Sequence, residues 1–464
     1  MGAFLSLSGA RRLPAHLGRL EEQRRHIVHR IATYYKDLST EHEFLLELLG
    51  KSNQVCHHEL ENKATEINWP HLFFITSPDL YGYLGYRLMK LGFQSRCPAS
   101  SFEETVNVRR ATAAQWLRFR FELRRLAAEF ARQHVDFLLL KGAVLASLAY
   151  PDASMRSVSD IDILVRSDNL AKALECVYAA GFKCPGRYAH PENLMESALP
   201  GEEISLPVEK PGTRALIEVH TQLESAEPWF PVTIGQVWET SKPANLDGLK
   251  VRIPDQHEFL FHLILHLARG HLFSLGLRPL LDVHLWVECQ GELLNWKWIA
   301  AECGRRGYGD WAHLTLKIVS DTFGTRIPPY FFEHVPPPPA LDRLQRLAYE
   351  QIWSDRRLDS LVPPRLAMTL SEGSVKSAVF ALLRRVRPTR QERGSTVPPS
   401  TGIESAGLTG GFRRILNDFR VKTPQYLRAW RKGKLRWSSL QEAARLAKGR
   451  LEIKQLIVDP HQRK

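Results

Sequence analysis

The chain has 464 residues, 44% of them hydrophobic, and carries 63 Lys and Arg against 50 Asp and Glu. That size and apolar content support two or three packed domains and exclude a chain that is disordered throughout. The six cysteines are scattered without a CxxC pair, which excludes a disulfide scaffold and reads as reduced thiols in a cytoplasmic protein.

No apolar run reaches the roughly 20 residues of a transmembrane segment. The formal charge of +13 is uneven. Residues 376–464 hold 21 Lys and Arg against 6 Asp and Glu, while the rest of the chain holds 42 against 44. This basic end reads either as a contact for an anionic partner or as a solvated C-terminus.

In chain order, residues 1–65 read as polar helix, with apolar periodicity over 44–49. Asn68-Trp69-Pro70 marks a break, 80–91 a second helix and 97–101 a loop. Ser101 with Glu104 has the spacing of a capping box. It opens a long helix to about His134, with Trp116, Phe119, Leu123, Leu126 and Phe130 on one face and an Arg-rich solvated face opposite. Strand (136–140), helix (143–150), strand (160–165) and helix (168–180) follow, the last closed by Gly181. Segments 204–208, 215–220 and 249–253 read as strands. From Pro254 the pattern becomes helical, over 255–268, 280–287, 296–306, 311–323 and 341–353.

The chemistry concentrates in Asp160-Ile161-Asp162-Ile163-Leu164-Val165. Side chains on a strand alternate faces, so the two carboxylates point the same way, roughly 7 Å apart along the chain. Acids on an otherwise apolar strand call for a compensating charge, and a divalent metal supplies one. Glu218, inside the strand-like Ala215-Leu216-Ile217-Glu218-Val219-His220, offers a third carboxylate. Lys141-Gly142, at the start of a helix, suits a phosphate: glycine allows close backbone approach and the helix N-terminus offers free N–H groups. Arg156 and Ser159 stand just before the acids and complete a candidate phosphate set. Neither GxxxxGK[ST] nor GxGxxG occurs, which removes support for P-loop and Rossmann readings.

His220 either joins the site or packs at a strand end. His262-x-x-x-His266 has metal-binding helical spacing, but Leu263 stands where HExxH has Glu, so His257, His262, His266 and His271 read as core or supporting residues. His266 and Arg269 are candidates to close over a nucleotide base. Asp282, on an apolar helix, either faces the cleft or serves its own neighbourhood.

The order Leu-Lys-Gly (140–142), Tyr150, Arg156-x-x-Ser159-Asp160-Ile161-Asp162-Ile163-Leu164-Val165 and Ile217-Glu218-Val219-His220 resembles the uncharacterised nucleotidyltransferase family of the DNA polymerase beta superfamily. It is also similar to the nucleotidyltransferase toxins. The resemblance covers roughly residues 68–325. It implies an α+β fold, a polymerase-beta-like mixed sheet flanked by helices and followed by a helical domain.

It further implies a transferase working by two-metal catalysis with Mg2+, or Mn2+ as an alternative, that binds an NTP such as ATP and moves its NMP to an acceptor that Glu218 assists. Asp160, Asp162 and Glu218 would be both catalytic and metal-binding, with Lys141, Gly142, Arg156 and Ser159 on the nucleotide. The acceptor stays open among small molecule, sugar, protein and RNA. One departure from the superfamily is Ala143, where Gly or Ser usually follows the glycine. It supports the rival expectation of an inactive module that binds nucleotide or nucleic acid. The expected organisation is a helical region 1–100, a nucleotidyltransferase domain 101–253, a helical domain 254–353 and a basic region 354–464 with a linker over 387–411.

Overall fold

Alternating aliphatic residues around two acids make 160–165 the centre of a four-stranded mixed sheet. The structure, a computed structural model, describes residues 38–50, 57–185, 204–213, 215–223, 234–354 and 437–462. Strand β1 (Phe137–Leu139) pairs antiparallel with β2 (Ile161–Val165). Strand β3 (Ser205–Lys210) pairs antiparallel with β4 (Ala215–His220), and β2 and β4 run parallel, giving the order β1-β2-β4-β3. The parallel register sets Asp162 opposite Glu218 and Leu164 opposite His220.

All five residues of β2 are buried. Ile161, Ile163 and Val165 belong to the main apolar core. Leu164 packs in a separate cluster with Leu138, Leu140, Val237 and Trp238. By strand alternation Asp162 shares the Leu164 face, so the carboxylate emerges beside this small cluster and not within the main core.

Among the described residues five helices precede the sheet: α1 (Thr40–Gly50), α2 (His57–Ala64), α3 (Trp69–Ile75), α4 (Tyr81–Lys90) and α5 (Ala99–Arg132). The break expected at Asn68-Trp69-Pro70 is the start of α3, where the Asn68 side chain accepts from the His71 N–H. The expected Ser101–Glu104 capping box does not form. Helix α5 begins two residues earlier, with Pro98 at the N-cap and no side-chain cap, and Ser101 lies inside its first turn. The apolar face of α5 is buried as its periodicity predicts, while Arg110, Arg118, Arg124 and Arg125 are exposed.

Helix α6 (Lys141–Leu148) follows β1 with Leu140 as the only spacer, and α7 (Leu170–Ala179) follows β2, closed by Gly181 at φ +88°. A short helix, α8 (Ile234–Glu239), leads to a hairpin of β5 (Lys242–Leu246) and β6 (Leu249–Ile253). Its turn residues Asp247 and Gly248 both have positive φ, the signature of an Asp-Gly hairpin. Trp116 Nε1 donates to Asp247 at 2.9 Å, tying the turn to α5.

The remaining helices are α9 (Gln256–Leu265), α10 (Leu277–Gln290), α11 (Trp296–Arg306), α12 (Gly309–Phe323), α13 (Pro329–His334) and α14 (Leu341–Ile352). Asp255 caps α9 by accepting from the N–H groups of His257 and Glu258. A π-helical turn, His266–Gly270, continues α9. Helix α1 packs against α10 and α12, so the N-terminal helices, the sheet and these helices share one apolar core.

Part of the basic C-terminal region is α15 (Trp437–Gln462), which lies along α14. Arg343 pairs with Glu452 at 2.8 Å, and Gln351 donates to the Leu446 carbonyl at 3.0 Å. Over this helix a merely solvated terminus is corrected: Ile453 and Ile457 are buried in the core. The expected linker at 387–411 lies outside the described residues. The five described cysteines are free thiols. Among the described residues no helix is long and apolar enough to cross a membrane.

Candidate active site

The β2–β4 register builds the site. Asp162 and Glu218 are cross-strand partners, and His220, two residues beyond Glu218, projects from the same face of β4. His220 Nε2 lies 3.0 Å from Asp162 Oδ1 and 3.5 Å from Glu218 Oε2. Ligand atoms of these three residues all lie within 4.8 Å of one another.

Lys141 Nζ donates to Asp162 Oδ1 at 2.8 Å. Its backbone has φ +43°, a left-handed conformation that costs a non-glycine residue about 1–2 kcal/mol. That kink makes the abrupt turn from β1 into α6. The backbone is anchored there by the Leu140 N–H, which donates to the Asp162 carbonyl at 3.0 Å.

Asp160 stands just before β2, half-buried, and accepts from Ser159 Oγ at 2.8 Å. Its charge is felt at Lys141, and Asp162 and Glu218 act on it in turn. The structure brings Lys141, Asp162, Glu218 and His220 together. Asp160, bonded to Ser159, stands two residues before Asp162 and lies outside the group whose ligand atoms converge. The Glu218 side chain is 31% exposed, while those of Asp162 and His220 are nearly covered.

The site splits its acids electrostatically. Burial and then the Asp162 charge push Asp160 above the usual carboxylate range. Burial acts the same way on Asp162, but Lys141 and His220 together outweigh it and hold its carboxyl well below that range. Glu218 is lowered first by His220, against burial and the Asp162 charge. For Lys141, burial opposes the cation, yet Asp162 and the other carboxylates raise its affinity for the proton. Asp162 and Glu218, with His220 beside them, form a group with capacity for a divalent cation.

Arg156 and Gly142 sit on the far side of the same turn. The Arg156 guanidinium grips Asp282 of α10, Nε to Oδ1 at 2.9 Å and Nη2 to Oδ2 at 2.8 Å, with both side chains buried. Tyr150 donates to Asp282 Oδ1 at 2.8 Å. A Cβ on Gly142 would overlap Arg156 Nη1, so the absence of a side chain there makes room for this guanidinium. The glycine is explained by close packing, and the Arg156 head group is directed at Asp282.

From the sequence, His220 and Asp282 each admit two roles. The signal for His220 was its i+2 spacing from Glu218. Asp282 had no local signal, being 126 residues from Arg156.

His262 and His266 feel the charges of Lys141 and Asp162 without joining the converging ligand atoms. His262 is buried, with neither ring nitrogen hydrogen-bonded, and burial followed by the Lys141 charge lowers its pKa to about 3. Its ring centroid is 6.1 Å from that of His266, which packs edge-on against His271 at 4.5 Å.

No curated protein and no solved structure matches the chain. Residues 65–324, more than half of the sequence and the whole span from α3 to the end of α12, match the profile of a family described as uncharacterised nucleotidyltransferase. A parallel strand pair carrying facing acids, beneath a Lys-Gly turn, lies at the centre of that span, and the chain belongs to the uncharacterised nucleotidyltransferase family.

Proposed function

We propose that the protein transfers a nucleoside monophosphate from an NTP to an acceptor hydroxyl or phosphate, releasing pyrophosphate, at Asp160, Asp162 and Glu218. The observation that carries this reading is the pairing of Asp162 with Glu218 across parallel strands, with Asp160 two residues before Asp162, in a chain of this family. The donor chemistry fits a divalent cation: the ligand atoms of Asp162, Glu218 and His220 are within 4.8 Å of one another. When bound there, such ions neutralise the phosphates and stabilise charge on the attacking and leaving oxygens.

The protein's own groups divide the remaining work. Asp162, kept ionised by Lys141 and His220, is a fixed and nearly covered negative charge. Glu218 is the most exposed of the clustered side chains, where an acceptor can reach it and pass its proton to the carboxylate. The acceptor oxygen forms its bond to the α-phosphorus as the bond to the bridging oxygen of the β-phosphate breaks. The acceptor proton passes to Glu218 and the electron pair leaves with pyrophosphate. Lys141 supplies a cation and Ser159 a hydroxyl to the phosphates, beside the N-terminal N–H groups of α6 that begin at Gly142. Arg156, held by Asp282, serves by keeping this turn in place.

The substitution that raised the inactive alternative, Ala143, packs in the apolar core at 1% exposure. Incubation with each NTP labelled at the α-phosphate, Mg2+ or Mn2+ and a cell extract tests the proposal. Label should pass to an acceptor with the parent protein and not with Asp160→Ala plus Asp162→Ala. Transfer that survives the double substitution contradicts the mechanism. Metal-dependent NTP binding without any transfer supports the inactive module instead.

A further inference from the structure

His220 has a place in the site that the carboxylates alone do not explain. One carboxylate would satisfy a ring N–H, yet Nε2 is directed between two, at 3.0 Å from Asp162 Oδ1 and 3.5 Å from Glu218 Oε2. The three side chains come from two hydrogen-bonded strands of one sheet, so their relative positions are set by the β2–β4 ladder and not by a loop. The imidazole is 6% exposed and Glu218 31%, so the nitrogen is covered while the carboxylate reaches solvent.

We infer that His220 Nε2 is a direct ligand, with Asp162 and Glu218, of the divalent ion, and that this nitrogen makes the site one for a transition ion of the Mn2+ type in preference to Mg2+. The inference rests on the metal-dependent reading above and extends it to the third ligand and the class of ion. Mg2+ holds to oxygen donors and gives up its waters reluctantly, whereas an imidazole nitrogen favours first-row transition ions. Carboxylate oxygens suit Mg2+ and Mn2+ alike, so the nitrogen signal is what identifies the third ligand. Ligation requires the tautomer with the proton on Nδ1. The Lys141 contact does not compete for the whole of Asp162, because an ionised carboxylate has about four acceptor positions on its two oxygens.

Mn2+ alone, without nucleotide, is the probe. Affinity is read by electron paramagnetic resonance titration with Mg2+ as competitor, and ligation by nitrogen modulation of the Mn2+ electron spin echo. The parent should prefer Mn2+ and show nitrogen modulation. His220→Ala and His220→Gln should lose the modulation and bind Mn2+ at least about tenfold more weakly, the scale on which even an outer partner of a metal site acts.

The parent spectrum decides ligation even if a variant fails to fold. Bound Mn2+ without nitrogen modulation in the parent, modulation surviving both substitutions, or equal affinity for Mg2+ and Mn2+ would overturn the inference while leaving the carboxylate site standing. Absence of Mn2+ binding, or binding untouched by Asp162→Asn with Glu218→Gln, would overturn the metal reading itself and this inference with it.

Discussion

Asp282→Ala is expected to destabilise the protein far more than a surface charge deletion. The carboxylate receives two hydrogen bonds from Arg156, at 2.8 and 2.9 Å, and one from Tyr150 at 2.8 Å. The Arg156 and Asp282 side chains are 8% and 5% exposed, so solvent cannot replace what is lost. Removing one partner of such a pair strands a buried charge, at about 3–5 kcal/mol. The Tyr150 hydroxyl loses its acceptor as well, a penalty of about 1–3 kcal/mol that overlaps with the first. A loss near 4 kcal/mol is a large part of the roughly 5–15 kcal/mol that holds a domain folded.

Urea unfolding of parent, Asp282→Ala, and Arg156→Leu with Asp282→Leu measures it. The double variant should lose less than Asp282→Ala alone, because apolar replacement of both partners removes the stranded charge. A loss under about 1 kcal/mol for Asp282→Ala, or a double variant less stable than the single, would refute the reasoning that this pair is a buried latch.

Three other outcomes follow from the same geometry. Gly142→Ala forces a methyl group against Arg156 Nη1 and should cost about 1–3 kcal/mol in the same unfolding assay, as overpacking does, whereas a neutral result would mean that the guanidinium can move aside. His262→Leu should leave stability unchanged or raise it by about 1 kcal/mol, since neither ring nitrogen has a hydrogen bond to lose; a clear drop in melting temperature would reveal a partner. Asp162, whose folded pKa is depressed, contributes stability that is present above its unfolded pKa of about 3.9 and lost as pH falls through the folded value. Lys141→Met removes the largest influence favouring its ionised form, so acid unfolding should begin at higher pH, and an unchanged acid limb would contradict the pairing.

The parts of the site visible in the sequence were those encoded by short periodicities. Asp160 and Asp162 share a face because strands alternate, and the same rule extends from Glu218 to His220. The rest depended on long-range choices. Where the Arg156 head group points is decided by Asp282, which no local pattern connects to it.

The Ser101–Glu104 pair has the form of a helix start, but Pro98, already fixed near helical φ, begins α5 earlier. Strand β5 escaped notice because Pro243 and Asn245 are poor strand formers, and its partner β6 and the Asp-Gly turn impose the conformation. The helix α15 was obscured by its charge, although Ile453 and Ile457 anchor it to the core and Glu452 meets Arg343.

The central claim is that Asp162 and Glu218, with Asp160, bring metal and nucleotide together. Equilibrium binding of an NTP analogue with a methylene bridge between the α- and β-phosphates, titrated with and without divalent metal, tests it most directly. Binding to the parent should require the metal, and Asp162→Asn with Glu218→Gln should abolish that requirement together with the binding. Metal-independent binding, or metal-dependent binding that the two substitutions leave intact, would contradict it.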